Sequence, residues 1–257
     1  MPAKHRIKQY EPNSFYHLFN RGVEKRKIFR DSQDYGVFLS YLKTYLEPKD
    51  EKTLRAVMVD PVVSWREKDR AIKLLRLNNF FEDLDLLAYC LMPNHFHLVL
   101  YPKQDGDVQK FMQWITLTHT QRWHVQNKTI GSGHLYQGRY KSFLIEQDKH
   151  LLSVIRYVER NPLRAKLVKR VESWEFSSLA RRLRSKGAKW LATWPIPRPA
   201  DYLDFVNTAL TAGERESIRY SVNHGKPFGS GAWSGKMVEK FGLSATTRGR
   251  GRPKKGT

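Results

Sequence analysis

Two histidines separated by one residue are the pair whose type and spacing most clearly suggest chemistry. His95 and His97 flank Phe96 in an apolar run that directly follows Pro93-Asn94. Because side chains alternate along a strand, both imidazoles would lie on one face and Phe96 on the other. Neutral imidazole nitrogens suit a divalent metal, so the pair indicates a metal site at the mouth of a strand. A His-x-His pair is also ordinary on strands, and this alternative stays open on the pair alone.

A phenol and an amide form the second candidate group. Asp148 is a plausible N-cap for a helix that runs to about Asn161, since the residue before Pro162 disfavours helical geometry. Tyr157 and Asn161 are four residues apart, so both lie on one edge of this helix, beside its apolar stripe. Taken alone, the pair is typical of a helix border and a polar helix end.

The elements that must position these groups follow from hydrophobic periodicity. Strands are predicted over residues 14–21, 85–92, 95–101 and 139–145, with helices over about 31–46, 107–123 and 148–161. Residues 48–84 are a charged insertion with one short helical stretch near 65–77. The order contains the β-α-β-β-α-β unit, so we expect an α+β fold: a ferredoxin-like antiparallel sheet with helices on one face.

The charge balance narrows the class of partner. The chain has 257 residues with 46 Lys and Arg against 25 Asp and Glu, a net charge of +21. Such a surplus points to a polyanion, and nucleic acid is a stronger candidate than a membrane because no apolar run approaches a membrane span. The single cysteine, Cys90, allows no internal disulfide, and no secretory signal is visible. We therefore expect a cytoplasmic protein.

The composition also suggests a division of the chain. We expect a catalytic core over residues 1–167 that includes the insertion at about 48–84, a basic and mainly helical accessory region over 168–243, and a tail over 244–257. Residues 164–189 hold nine Lys or Arg and two acidic residues. The tail sequence RGRGRPKK resembles an AT-hook, whose Gly-Arg-Pro core enters the minor groove. A generic basic tail that binds any polyanion is the alternative.

Four separated motifs carry a family resemblance. LMPNHFHLVL over residues 91–100 and YVERNPLRA over 157–165, with FNRGV over 19–23 and LYQGRYK over 135–141, resemble the single-tyrosine HUH transposases associated with repetitive extragenic palindromes (REP). The resemblance covers roughly residues 14–180. It implies an HUH endonuclease core, with His95 and His97 as the metal-binding pair, Asn161 as the third ligand and Tyr157 as the catalytic tyrosine. Insertion-sequence relatives have Gln at the third position, and the shorter Asn161 offers the same oxygen ligand.

The family implies an activity and a cofactor. It predicts a metal-dependent endonuclease and strand transferase that nicks single-stranded DNA near palindromic hairpins through a 5′-phosphotyrosine. The amide and imidazole ligands suit Mg²⁺ or Mn²⁺. A free phenol has a pKa of about 10, so Tyr157 would need activation by nearby positive charge or by a base. Tyr136 and Tyr140 also lie beside cations and are competing nucleophiles. A non-catalytic nucleic-acid-binding protein and a metal-dependent hydrolase without a tyrosine adduct are the alternatives.

The expected partner is DNA, as the single-stranded flanks of hairpins and the adjoining duplex. Candidate contacts to DNA in the core are Arg21, Arg139 and Lys141, the last two on one face of the predicted strand; those in the tail are Arg248, Arg250, Arg252, Lys254 and Lys255. A solvated sheet edge is the other interpretation of the core cations. Insertion-sequence relatives share active sites within dimers, whereas the palindrome-associated group can act as monomers. We favour a monomer over a homodimer, in a bacterial, nucleoid-associated setting.

Overall fold

The described residues form one four-stranded antiparallel sheet with helices on both sides. The computed structural model describes residues 7, 9–104, 107–184 and 188–247. The strands are β1 (Phe15–Arg21), β2 (Leu84–Met92), β3 (His95–Pro102) and β4 (Lys141–Ile145), in the order β2-β3-β1-β4. This is the ferredoxin-like arrangement, and the predicted α+β class is confirmed.

The helices within the described ranges fall into a core set and a C-terminal set. The core set is α1 (Ser32–Leu46), α2 (Glu51–Val59), α3 (Trp65–Arg76), α4 (Asp107–Asn127), α5 (Lys149–Glu159) and α6 (Asn161–Arg164). The C-terminal set is α7 (Ser178–Arg184), α8 (Tyr202–Asn207), α9 (Ala212–His224) and α10 (Gly231–Lys240). Asp31 caps α1 by accepting a hydrogen bond from the Asp34 amide.

The two faces of the sheet bury separate apolar clusters. On one face, α1 and α4 contribute Phe38 and Phe111 to a cluster with Phe96 and Leu98 of β3. The two helices of the β-α-β-β-α-β unit thus share a face, as expected. The third helix, α5, covers the opposite face, which differs from the expectation of helices on one face, and its buried side chains pack against Val99 of β3. These α5 side chains are Leu151, Val154, Ile155 and Val158. The pleat of β3 therefore directs His95 and His97 toward α5.

Three local predictions differ from the structure. The insertion holds two helices rather than one, because Asp50 caps α2 by accepting a hydrogen bond from the Thr53 amide. Arg139 does not lie on a strand: β4 begins at Lys141, and Asn20 Nδ2 donates to the Gly138 carbonyl, where φ is 136°. Asp148 occupies the N-cap position of α5 but makes no capping hydrogen bond, since its φ is 63°.

The C-terminal set packs directly on the sheet. The Phe228 amide donates to the Leu144 carbonyl, and the Glu146 amide donates to the Phe228 carbonyl. Ile196, Ile218 and Phe228 belong to the same buried cluster as α5. Residues beyond 167 thus share the apolar core of the sheet. None of the described helices combines the length and the apolar character that a membrane span requires.

Substitution by alanine should have opposite effects on stability at two glycines, one in the turn after β1 and one in α1. A Cβ on Gly22 would lie 2.4 Å from the Arg26 carbonyl oxygen and 2.9 Å from Ile28 Cγ2, so Gly22→Ala should lower the free energy of unfolding by about 1–3 kcal/mol. Gly36, within α1, has open space at that position, so Gly36→Ala should raise it by about 0.5–1 kcal/mol. Urea denaturation measures both, and equal effects of the two substitutions would contradict this packing of the turn.

Candidate active site

Strand register places the predicted polar residues on one face of the sheet. Arg21 and Phe19 of β1 lie opposite His95 and His97 of β3, respectively. Phe19 also lies opposite Lys141 of β4. Directly opposite residues of an antiparallel pair project to the same face. Three strands therefore supply cations and imidazoles to the face that α5 covers.

Helix α5 brings Tyr157 over this face. Its ring centroid lies 6.2 Å from that of His97, with the rings nearly perpendicular at 81°. Both side chains line a cavity of about 240 Å³. The described residues that line it are Phe19, Asn20, Arg21, His95, His97, Gln137, Arg139, Lys141, Tyr157, Arg164, Arg219, Val222 and Asn223. The structure thus brings together the two histidines, the predicted tyrosine and the three predicted core cations.

Burial keeps the two imidazoles neutral. It lowers the pKa of His95 to about 3, with smaller contributions from Arg21 and Arg164, and it holds the pKa of His97 well below its usual value. His95 Nδ1 lies 2.6 Å from Asn94 Oδ1, and His97 Nδ1 lies 2.9 Å from His17 Nε2. A neutral imidazole that donates through Nδ1 keeps the Nε2 lone pair for a metal.

Among the described atoms, His97 Nε2 is buried without a hydrogen-bond partner, although it belongs to a cavity-lining residue. Such an orphaned nitrogen is costly unless it binds something. The described residues contain no group of three or more His, Cys, Asp or Glu that could hold a metal. His95 and His97 could supply two nitrogen ligands to a divalent ion, and further ligands would have to come from other groups.

Asn161 is not in that cavity. Its side chain is 1% exposed, and its Nδ2 donates to the carbonyls of Tyr157 and Val158 at 2.9 and 3.2 Å. Pro162 has no N–H to bond the Val158 carbonyl, so the Asn161 amide group takes over that role. Its Oδ1 accepts a hydrogen bond from Arg164 Nη2 at 2.6 Å. The helix predicted to end near Asn161 instead stops at Glu159, and α6 begins with this Asn-Pro pair.

Arg164 is a site residue for which the sequence alone suggested no role. Its guanidinium lies 5.0 Å from the centroid of the Tyr157 ring, and it lines the cavity. A cation at this position faces the ring of the candidate tyrosine. Arg164 follows Tyr157 by seven residues, or two helical turns, and this spacing was the signal in the sequence that could have placed it beside Tyr157.

The competing tyrosines lie elsewhere. The Tyr136 hydroxyl is 2.6 Å from His119 Nδ1, and Tyr136 belongs to the apolar cluster on the opposite face. Tyr140 packs against that same cluster. Of the tyrosines in the described ranges, Tyr157 is the one that lines the cavity.

Part of the cavity wall comes from α9. Arg219, Val222 and Asn223 line the cavity beside the predicted Arg139 and Lys141. The spacing of four between Arg219 and Asn223 places them on one helix face, but the sequence does not show which surface that face meets. The tail residues Arg248, Arg250, Arg252, Lys254 and Lys255 lie outside the described residues.

A buried carboxylate ties the tyrosine helix to the C-terminal set. Glu159 is fully buried, and its two oxygens accept hydrogen bonds from Ser178 Oγ at 2.7 Å and from the Tyr202 hydroxyl at 2.6 Å. Burial raises the pKa of Glu159, and these two hydrogen bonds partly oppose that shift. The C-terminal end of α5, just past Tyr157, is thus anchored to α7 and α8.

Comparisons with known proteins point to the same family as the sequence motifs. Residues 62–161 match the family model described as IS200-like transposase. A relative from Haemophilus influenzae, named a putative REP-associated tyrosine transposase, is 23% identical over 110 residues, which cover 40% of this chain. The match spans 62% of that relative's length. The family model covers α3 through α5, so it begins later and ends earlier than the span of about 14–180 expected from the motifs.

A solved structure of a REP-associated tyrosine transposase bound to a REP hairpin also matches this chain. The match covers 79% of this chain and 92% of that one, at 17% sequence identity and a TM-score of 0.40.

The Glu159 anchor predicts a stability difference between two tyrosines. Tyr202→Phe should lower the free energy of unfolding by about 2 kcal/mol, because it removes one of two hydrogen bonds to a fully buried carboxylate. Tyr101→Phe is the matched control, since its hydroxyl donates to Asn13 in an exposed pair, and it should cost less than about 0.5 kcal/mol. Urea denaturation compares the two, and an effect at Tyr202 no larger than at Tyr101 would remove the anchoring role.

Proposed function

We propose that this chain, whose residues 62–161 match the IS200-like transposase family, is a metal-dependent endonuclease and strand transferase acting on single-stranded DNA. The observation that carries the proposal is the meeting of Tyr157 with His95 and His97 in one cavity. Arg21, Arg139 and Lys141 line the same cavity. A phenol can serve as the nucleophile, and two neutral imidazoles that can hold a metal, together with fixed cations, can stabilise charge on a phosphodiester.

The proposed chemistry conserves the phosphodiester energy. The Tyr157 oxygen attacks the scissile phosphorus, an O–P bond forms, and the bond from phosphorus to the 3′ oxygen breaks. The phenol loses its proton and the departing 3′ oxygen gains one, which leaves a 5′-phosphotyrosine and a free 3′-OH. Attack by another 3′-OH reverses the step and joins strands. Arg164, whose guanidinium lies 5.0 Å from the centroid of the Tyr157 ring, would stabilise negative charge that develops on the phenol during the attack.

We propose that His95 and His97 hold Mg²⁺ or Mn²⁺. Such an ion, when bound, polarises the scissile phosphate. The neutral state of both imidazoles and the orphaned His97 Nε2 support this assignment. Asn161 lies outside the cavity and its Oδ1 accepts a hydrogen bond from Arg164, so it could join these ligands only after its side chain is rearranged. Without it, water or a phosphate oxygen would supply the remaining ligand atoms.

The substrate we propose is the single-stranded flank of a DNA hairpin. Phe19 is partly exposed at the cavity and offers a ring for base stacking, and the cations around it would contact phosphates. The basic tail would hold the adjoining duplex. Tyr157 and the His pair come from the same chain and line the same cavity, which supports action as a monomer.

The nucleophile assignment predicts a covalent adduct. With a labelled hairpin that carries single-stranded flanks and Mn²⁺, the wild-type chain should give a protein–DNA band on a denaturing gel, and Tyr157→Phe should give none. Tyr140→Phe is the matched control and should keep the adduct. Binding of DNA without any adduct would favour a non-catalytic DNA-binding protein, and cleavage that survives Tyr157→Phe would favour a metal-dependent hydrolase.

The metal assignment predicts a selective loss of Mn²⁺ binding. His97→Gln should abolish binding of Mn²⁺, followed by electron paramagnetic resonance, and should lower the nicking rate about 100-fold or more. His134→Gln is the control, since His134 is exposed and does not line the cavity. Unchanged Mn²⁺ affinity in His97→Gln would refute the assignment.

A further inference from the structure

A second, smaller cavity adjoins the first at Tyr157. It has a volume of about 120 Å³ and is lined by Tyr157, Arg160, Leu163, Arg164, Ala209, Leu210 and Arg215. Tyr157 and Arg164 line both cavities. The tyrosine therefore stands where two openings meet, rather than at the closed end of one.

Helix α9 borders both cavities with successive turns of one face. Arg215 lines the second cavity, and Arg219, four residues later, lines the first. Side chains at this spacing are neighbours on a helix surface. Neither set of lining residues, within the described ranges, includes an Asp or Glu. The cations of the two cavities form one positively charged tract past Tyr157.

The backbone of α9 is held firmly enough to act as a wall. A reciprocal capping box between Thr211 and Glu214 starts the helix, and Gly225 ends it in the left-handed conformation with φ at 74°. Ile218, between the two arginines, is fully buried in the cluster with α5. Just before α9, Arg156 donates to the carbonyls of Thr208 and Ala209 at 2.6 and 3.2 Å.

The two arginines themselves are available to a ligand. Both are exposed, and Arg219 pairs with Glu216 at 3.7 Å, where the two side chains are 53% and 76% exposed. An exposed ion pair of this kind is weak and yields easily to a phosphate. Cations along a groove, with no acidic side chain among its lining residues, match the regular negative charge of a single-stranded nucleic-acid backbone.

We infer that α9 forms the second wall of a strand-binding tract, with Arg219 and Arg215 contacting backbone phosphates on opposite sides of the phosphate that Tyr157 attacks. This assignment rests on the proposed function, because it takes the strand to be the DNA that Tyr157 cleaves. It gives the C-terminal set a role in binding substrate, in addition to bracing the sheet.

Salt dependence of DNA binding tests the inference without requiring chemistry. Binding is measured by fluorescence anisotropy in the Tyr157→Phe background with EDTA, on a DNA hairpin carrying flanks of about ten nucleotides. Adding Arg215→Gln and Arg219→Gln should reduce the slope of log affinity against log salt concentration by about 1.4, or about 0.7 for each phosphate that an arginine no longer neutralises. Affinity at low salt should fall about tenfold.

A matched double variant controls for net charge. Arg55→Gln with Lys73→Gln removes two exposed helical charges that are paired with carboxylates, as Arg219 is, and neither residue lines either of the two cavities. Its slope should equal that of the parent. Hairpins with a single flank should distinguish the contributions of the two arginines. Affinity for a hairpin with one of the flanks should fall in Arg215→Gln, and affinity for a hairpin with the other flank should fall in Arg219→Gln. A blunt hairpin should respond to neither.

Two results would overturn the inference: a parental slope in the arginine double variant, or an equal loss of affinity for blunt and flanked hairpins. The covalent adduct, measured separately with Tyr157 present, reports on the proposed function. If the arginine double variant has an altered slope but the wild-type chain forms no adduct, the nuclease proposal is refuted and the strand-binding tract is supported. If the wild-type chain forms an adduct but the double variant keeps the parental slope, the nuclease proposal is supported and the strand-binding tract is refuted.

Discussion

Packing of helix α5 against the histidine-bearing face of the sheet is the constraint on which the site depends. The apolar stripe of this helix, Leu151 to Val158, is buried against β3 and β4, and that burial fixes how Tyr157 is presented to His97. Fully burying each large aliphatic side chain contributes about 1.5–3 kcal/mol, so a shifted helix would expose apolar surface. Glu159 adds a directional anchor, because its buried carboxylate accepts hydrogen bonds from Ser178 and Tyr202.

The polar part of the site is built at an electrostatic cost that a ligand would offset. Arginines and a lysine converge on a cavity that also contains two imidazoles, and burial together with neighbouring positive charge keeps those imidazoles neutral. Imidazoles kept free of protons in this way would be available to a metal ion that binds together with a polyanion. A phosphate would relieve repulsion among the cations, and an ion would satisfy the orphaned His97 nitrogen.

Much of this arrangement could be predicted from local pattern. Alternation along β3 placed His95 and His97 on one face, and the turn at Pro93-Asn94 defined the hairpin. These features depend on neighbours in the chain, so their signals are strong. Asn161 was harder, because its amide group is used to replace a hydrogen bond that Pro162 cannot make. A residue type suitable for a ligand does not reveal a competing structural partner.

Contacts between distant segments could not be predicted. Helix α9 lies more than fifty residues beyond Tyr157, and its periodicity alone does not identify the face that meets α5. Arg139 was expected on a strand, yet the side chain of Asn20 holds the preceding Gly138 in a bend, and Arg139 still lines the cavity. In both cases the position is determined by tertiary hydrogen bonds and burial rather than by local propensity.

The central claim is that the Tyr157 oxygen becomes linked to DNA. Mass spectrometry of proteolytic fragments from the trapped, nuclease-digested adduct tests it most directly. The account predicts a nucleotide 5′-phosphate on the fragment that contains Tyr157 and on no other tyrosine-containing fragment. Attachment at Tyr136 or Tyr140, or a 3′-phosphate linkage, would contradict the account.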